Sequence, residues 1–122
     1  MIASIRTADV SRAVDFYTEK LGFAVARSSE GNVALVLGDD RVMLEAATDF
    51  YSPQYNDAIR ARLGGPSPHA LYIEVPELDA YYERVQAAGA EIVDPLAPRP
   101  WGQAEFTVAD CDGNWLTFWQ AS

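Results

Sequence analysis

Aromatic and acidic side chains occur together in the last quarter of this 122-residue chain. Trp101 stands between Pro100 and Gly102, a pattern typical of a turn that leaves a large side chain at the surface. Glu105 follows four residues later, and Trp115 comes after an Asp/Gly/Asn turn. Indole rings bind planar groups by stacking and cations through the ring quadrupole, with each contact contributing about 0.5–2 kcal/mol. Carboxylates nearby select for positive charge, so these residue types favour recognition of a planar or cationic molecule.

Nucleophilic catalysis finds little support in the residue types. The single cysteine, Cys111, lies within the Asp/Gly/Asn turn, and the single histidine, His69, follows a Pro-rich segment. A cysteine nucleophile requires an adjacent base, and a serine nucleophile would have to use the same His69. The chain contains no Gly-x-Ser-x-Gly sequence. Paired carboxylates remain an alternative for acid–base catalysis, because the sequence does not determine their separation.

The charge balance argues against polyanionic partners. Eighteen Asp and Glu residues against nine Lys and Arg give a formal net charge of −9. Such a surface repels phosphate backbones and anionic lipids, so neither nucleic acid nor a membrane is expected as a partner. The same charge attracts a cationic small molecule, although acidity also serves solubility. With one cysteine, no long apolar segment and no signal-peptide pattern at residues 1–6, the chain is expected to be cytoplasmic.

Hydrophobic periodicity predicts the same succession of elements in each half of the chain. Apolar residues spaced three and four apart predict helices over residues 10–21 and 78–88, which Gly22 and Gly89 end. The two helical patterns superpose at an offset of 68 positions, with Val10 matching Leu78. Alternating apolar residues predict strands over 2–7, 23–27, 33–37, 42–46, 71–75, 90–93, 104–109 and 115–120. Each half is therefore expected to fold as β-α-β-β-β.

Residues 47–68 fit neither half of this repeat. Ser52 and Pro53 predict the start of a short helix that runs through Arg62, because proline is favoured in a first helical turn. The Gly- and Pro-rich residues 64–68 predict a linker. We therefore expect a single domain over residues 1–122, with modules at about 1–46 and 69–122.

Three segments accompany the paired βαβββ pattern: Arg12-Ala13-Val14-Asp15-Phe16-Tyr17, Leu21-Gly22-Phe23 and the turn Asp110–Asn114. With them, the chain resembles the vicinal oxygen chelate superfamily, which includes glyoxalase I, extradiol dioxygenases, fosfomycin-modifying enzymes and bleomycin-resistance binding proteins. Pro100-Trp101-Gly102 and Glu105-Phe106 look most like the bleomycin-resistance branch. The resemblance covers nearly the whole chain except residues 47–68. It implies the α+β glyoxalase/bleomycin-resistance fold, in which two βαβββ modules form curved mixed sheets with helices on the outside. Cys111 stands where the family usually has proline, which affects the stiffness of the turn and not the chemistry.

The resemblance also implies where a divalent metal would be bound. Enzymes of the superfamily hold it with His and Glu side chains on the inner faces of their strands. The corresponding positions here are Ile2, Ala70, Thr117 and Glu45, and only Glu45 has a side chain that ligates metals. His69 lies one residue from the Ala70 position, so a regular strand points it to the opposite face. An irregular strand start would rescue it, but His69 and Glu45 are two ligands where catalytic sites use three. Neither a metal nor another cofactor is therefore expected.

Alternation along the predicted strands sorts their residues onto two faces. If the apolar set faces the helices, the opposite face carries Ser4, Arg6, Met43, Glu45, Tyr72, Glu74, Glu105, Thr107, Trp115, Thr117 and Trp119. An open, curved sheet with that face exposed forms a cleft rich in carboxylates and rings. In bleomycin-resistance proteins, the Trp of the segment matching Pro-Trp-Gly (here Trp101) and an aromatic residue at the position of Tyr72 flank the drug. The predicted ligand-binding set is Trp101, Tyr72, Glu74, Glu105, Trp115, Glu45, Thr117 and Tyr55.

Three functional hypotheses follow. The favoured one is a non-catalytic protein that sequesters a cationic, aromatic natural product, for antibiotic resistance or self-protection. The second is an enzyme of the superfamily: a metal-dependent lyase or dioxygenase, or a metal-free isomerase. In the third, the aromatic face only dimerises, and Trp115 and Trp119 fill that interface. A homodimer is expected from the unpaired strand edges and from the resemblance, with residues 50–55, including Tyr55, completing a cleft on the other chain.

Overall fold

The computed structural model describes residues 2–46, 51–65 and 69–121. Within them, the elements in chain order are β1 (Ala3–Thr7), α1 (Val10–Asp15, continued by a π-helical segment, Phe16–Lys20), β2 (Ala24–Ser29), β3 (Asn32–Leu37), β4 (Asp40–Ala46), α2 (Pro53–Arg62), β5 (Ala70–Glu74), α3 (Leu78–Ala87), β6 (Glu91–Arg99), β7 (Gln103–Ala109) and β8 (Trp115–Ala121). The first sheet has the strand order β1-β4-β3-β2 and the second has the order β5-β8-β7-β6. In both, the first strand is parallel to the last and the other neighbours are antiparallel. Two similar βαβββ modules confirm the predicted fold class.

The first two helices begin at residues whose side chains cap them. The Asp9 side chain accepts a hydrogen bond from the Arg12 N–H at 3.0 Å and caps α1. Ser52 caps α2 in the same way, so the short helix predicted over 53–62 is confirmed. Gly22, at φ +76°, follows the first helical region as predicted, because glycine adopts the left-handed conformation without a steric penalty.

Helix α3 begins differently. The preceding residue, Glu77, has a left-handed backbone (φ 54°) and makes no side-chain hydrogen bond to the helix. The free N–H of Leu78 instead donates to Gln120 Oε1 of β8 at 3.1 Å. A residue 42 positions away along the chain thus satisfies this helix end.

One hydrophobic core joins the two modules. The helix-facing side chains of both sheets belong to a single buried cluster that contains, among others, Leu35, Leu44, Phe106, Leu116 and Phe118. The modules are also linked by hydrogen bonds: the Tyr81 hydroxyl donates to the Leu21 carbonyl and the Tyr17 hydroxyl to Asp110 Oδ2, each at 2.7 Å. Because the helix-facing sides are shared, the opposite face of each sheet points away from the core.

Strand β6 is longer than predicted. The sequence predicts a strand over 90–93, whereas the strand runs to Arg99. It lies at the edge of its sheet, where Pro95 and Pro98 are tolerated because one side of the strand needs no N–H donor. Its register against β7 shifts twice, between Ile92 and Asp94 and between Asp94 and Ala97. The prolines that ended the prediction therefore mark an irregular edge strand.

Part of the segment between the modules is outside the described residues. The predicted linker 64–68 is described only at Gly64 and Gly65, and Phe50 of the aromatic 50–55 segment also lies outside. The proposed boundaries of the domain and its modules remain predictions. Strand β1 pairs with β4 of its own module. None of the helices in the described part of the chain is long and apolar enough to cross a membrane.

Candidate functional site

The face of the second sheet that points away from the core carries most of the predicted site; we call it the open face. The strand register sets its side chains in rows. Tyr72 of β5 is paired with Thr117 of β8, which is paired with Thr107 of β7. In the next row, Glu74 is paired with Trp119, which is paired with Glu105. Residues paired across strands point to the same face, so the alternation of the sequence places these side chains together.

Trp101 and Glu105 are brought into direct contact at one corner of the open face. Trp101 lies in the turn between β6 and β7, where Gly102 has φ +89°. Its side chain is 63% exposed, and its indole Nε1–H donates to Glu105 Oε1 at 3.1 Å. Glu105 itself is only 4% exposed. A buried carboxylate thus holds an exposed ring.

Arg99 completes this corner and is a residue that the sequence reasoning missed. Its Nε lies 3.7 Å from Glu105 Oε1, and its Nη2 forms an ion pair with Asp94. Arg99 thereby balances the charge of the buried Glu105. Had the strand prediction continued past residue 93, alternation would have placed Ala97, Arg99 and Glu105 on one face.

The centre of the open face is a buried pair of threonines. Thr107 Oγ1 and Thr117 Oγ1 share a hydrogen bond of 2.7 Å. The predicted site residue Thr117 is therefore part of the floor, with its hydroxyl already paired. Tyr72, beside it, is 59% exposed, and Trp115, nearer the start of β8, is 49% exposed. These rings are available to a ligand or to another protein surface.

Glu45 and Tyr55 lie at the other sheet. Arg6 Nε lies 2.9 Å from Glu45 Oε2, a charge contact without an aligned hydrogen bond, and Asn32 donates to Glu45 Oε1 at 3.0 Å. Arg6 Nη2 donates to the Tyr55 hydroxyl at 3.1 Å, and its guanidinium lies over the Tyr51 and Tyr55 rings, 5.3 and 5.5 Å from their centroids. The cation that Glu45 attracts within the chain is Arg6. A shared cleft with Trp101 would require a second chain.

A groove of about 870 Å³ lies between the two modules. It is lined by residues of β1, the end of α2 and the start of β5, and it includes Arg6, Arg62 and His69. Of the predicted set, Trp115 lines it, whereas Trp101 and Tyr72 do not. Trp101 and Tyr72, the two rings predicted to stack on a ligand, therefore lie outside this groove on an open surface of the single chain.

A family model described as the glyoxalase/bleomycin resistance protein/dioxygenase superfamily matches residues 2–118. The chain belongs to this superfamily. The resemblance that the helix and turn sequences indicated is thereby confirmed.

Relatives of this superfamily member match it along almost its whole length. It is 27% identical over 128 residues to the bleomycin resistance proteins of Geobacillus stearothermophilus and Staphylococcus aureus, covering 98% of this chain and 94% of those proteins. Among solved structures, TioX from Micromonospora sp. ML1 is similar with a TM-score of 0.76 and 27% identity over 100% of this chain and 95% of that one. A glyoxalase/bleomycin resistance protein/dioxygenase family enzyme from Burkholderia phytofirmans PsJN has a TM-score of 0.78 at 17% identity, which shows the shared fold alone.

The residues at the superfamily's metal-ligand positions do not fit a divalent metal. Ile2 and Ala70 have no donor atom, and the Thr117 hydroxyl is paired with Thr107. Glu45 is paired with Arg6, whose positive charge stands against a second cation at that carboxylate. Within the described ranges, no group of three or more His, Cys, Asp and Glu side chains is arranged to hold a metal.

Cys111 is unsuited to nucleophilic chemistry. Burial, followed by the negative charges of Asp112 and Asp110, raises the pKa of its thiol to about 11. A raised pKa lowers the thiolate fraction at neutral pH, and the thiolate is the reactive form. Cys111 is therefore best regarded as part of the turn that joins β7 to β8.

Proposed function

We propose that this protein is a non-catalytic, homodimeric binding protein of the cytoplasm that sequesters a planar, cationic small molecule. Antibiotic resistance or self-protection is the role that such sequestration would serve. The observation that carries the proposal is the Trp101 indole, exposed to solvent yet held by the buried Glu105. A large ring in a fixed orientation provides stacking area with little loss of conformational freedom on binding.

The rest of the open face supports the same conclusion. Tyr72 supplies a second exposed ring, and Glu74 supplies an exposed carboxylate on the same strand. The net charge of −9 favours the approach of a cation over that of an anion. The loss of donor atoms at the metal positions, together with the similarity to bleomycin resistance proteins, favours binding over metal-dependent turnover.

The proposal is tested by binding with recovery of the ligand. The purified protein is titrated with bleomycin and a panel of cationic and neutral aromatic antibiotics while tryptophan fluorescence is recorded. We expect saturable quenching by cationic members, and mass spectrometry after denaturation should recover each ligand unchanged. A chemically altered product formed in proportion to incubation time would identify an enzyme instead. Equal affinity for neutral and cationic members would contradict the proposed selectivity.

The homodimer is a separate prediction. Trp115, at the start of β8, is 49% exposed on the single chain, and a dimer contact around it would bury apolar surface without covering Trp101 at the opposite end of that strand. Light scattering during size exclusion should give twice the 13.4 kDa mass of one chain at micromolar concentration. Trp115→Glu should raise the monomer fraction, whereas Val25→Glu, at an exposed site on β2, should not. A wild-type monomer of 13.4 kDa would refute the prediction.

A further inference from the structure

The two carboxylates in one row of the open face have opposite environments. Glu105 is 4% exposed, accepts the Trp101 indole hydrogen bond at 3.1 Å and lies 3.7 Å from Arg99 Nε. Glu74, two strands away in the same row, is exposed and has no ion pair with another residue in the described part of the chain. Residue type alone makes them equivalent, but their surroundings do not.

We propose that Glu105 is a positioning residue for Trp101 and that Glu74 recognises the positive charge of the ligand. This division rests on the proposed binding function. A carboxylate that is buried and balanced by Arg99 has little field left for a ligand cation, since opposite charges in contact largely cancel at a distance. An exposed carboxylate without a counter-charge keeps its field and can be approached directly.

The hydrogen bond from the Trp101 indole gives the Glu105 carboxylate its positioning role. An indole N–H is a donor only, and a bond to an ionised acceptor is about twice as strong as one between neutral groups. The direction of this hydrogen bond restricts the rotation of the Trp101 ring about its side-chain bonds, although the ring is open to solvent. Arg99, itself paired with Asp94, balances the charge of the buried carboxylate and holds it in place. Trp101, supported by Glu105 and Arg99, is therefore a stacking surface held in one orientation, as precise binding sites require.

The positioning role is tested without any ligand. Indole ¹H–¹⁵N spectra report the three tryptophans, and Trp101→Phe identifies the Trp101 signal. In Glu105→Ala, we expect the Trp101 indole proton to shift upfield and its heteronuclear NOE to fall, because the acceptor is lost. Glu105→Gln, whose amide oxygen still accepts, should restore both, while the Trp115 signal should stay unchanged in all variants. An unchanged Trp101 signal in Glu105→Ala would overturn the proposal.

Glu105→Ala removes one partner of the Arg99–Glu105 pair, and the uncompensated charge that remains on Arg99 can destabilise the fold. A second variant is therefore needed. The double substitution Arg99→Met and Glu105→Leu removes both charges and leaves no unpaired carboxylate in the corner's interior. It should give the same loss of the Trp101 hydrogen-bond signature as Glu105→Ala. A preserved signature in this variant would equally overturn the positioning role.

The assignment of charge recognition to Glu74 is tested with a matched pair of probes. N-methylquinolinium and 1-methylnaphthalene have the same shape, but only the first is charged. Glu74→Gln should lower the affinity for the cationic probe and leave the affinity for the neutral probe unchanged. Glu105→Gln should leave the ratio of the two affinities at its wild-type value. Glu105→Ala should weaken both probes about two- to twelvefold, the effect of freeing one side chain.

The outcomes separate this inference from the proposed function. If Glu105→Gln lowers the ratio of the affinity for the cationic probe to that for the neutral probe and Glu74→Gln does not, the proposed division of roles is wrong, although the proposed binding function is not contradicted. If neither probe binds the wild type and no antibiotic does, the proposed function fails and the role of Glu74 fails with it. The ligand-free spectra still decide whether Glu105 positions Trp101.

Discussion

Replacing Trp101 with alanine is expected to weaken the binding of a planar cationic antibiotic about 5- to 150-fold, which corresponds to about 1–3 kcal/mol. The indole is 63% exposed and contributes no packing to the buried core, so its removal should act on binding and not on folding. Isothermal calorimetry with bleomycin measures the affinity without relying on the deleted fluorophore. Trp101→Phe, which keeps a ring but loses the bond to Glu105, should fall between wild type and Trp101→Ala.

A matched control separates a binding effect from a general surface effect. Val25 lies on the edge strand β2 and is 49% exposed, away from the open face. Val25→Ala should bind bleomycin as tightly as wild type. If Trp101→Ala also keeps wild-type affinity, or if both variants weaken equally, Trp101 is not the stacking residue.

Most of the fold follows from local sequence signals. The spacing of Val10, Val14 and Tyr17 predicts a helix face, and Gly22 and Gly89 adopt positive φ where helices were predicted to end. Such signals act over one helical turn, so the sequence contains all the information they need. The π-helical segment at Phe16–Lys20 was not predicted, because an apolar spacing of four residues fits a π-helical turn as well as an α-helical one.

The composition of the open face was predictable, but its internal contacts were not. A strand side chain alternates strictly, so Tyr72, Glu74 and Glu105 could be assigned to one face from their positions. Whether a carboxylate on that face is free depends on residues brought in by other strands. Arg99 reaches Glu105 across a hairpin with two register shifts, and Arg6 reaches Glu45 across a parallel pair. Alternation can place each arginine on the face of its glutamate, but the strand pairing that brings the two side chains together carries no local signal.

Contacts between residues far apart in the chain cannot be predicted from periodicity either. Within the second module, Gln120 of the last strand caps α3; between the modules, Tyr17 of the first helical region bonds Asp110 at a separation of 93 residues. The first contact depends on the folding of the second module, and the second depends on the core that the two modules share. The predicted site residues therefore remain predictions to be tested by binding, while the fold that displays them is established.

The turn residue Asp110 is expected to be a large single contributor to stability. Its buried carboxylate accepts four hydrogen bonds, and the donors are the Tyr17 hydroxyl, the Asp112 and Asn114 backbone N–H groups and the Asn114 side-chain amide, at 2.7–2.9 Å. Tyr17 is fully buried, so losing its acceptor leaves a hydroxyl without a partner and without water. The same environment raises the pKa of Tyr17 well above its usual value, through burial first and then Asp110.

Asp110→Ala should therefore lower the free energy of unfolding by about 3–5 kcal/mol, since an orphaned buried donor costs about 1–3 kcal/mol and each lost bond to a charge adds to it. Tyr17→Phe should cost less, because the carboxylate keeps three donors. In the double variant the unpaired hydroxyl is absent, so its loss should be smaller than the sum of the single losses by at least about 0.5 kcal/mol. Urea unfolding measures all three, with Asp39→Ala, in the exposed turn of the first module, as the control within about 0.5 kcal/mol of wild type. Additive losses would show that the Tyr17–Asp110 bond does not couple the two modules.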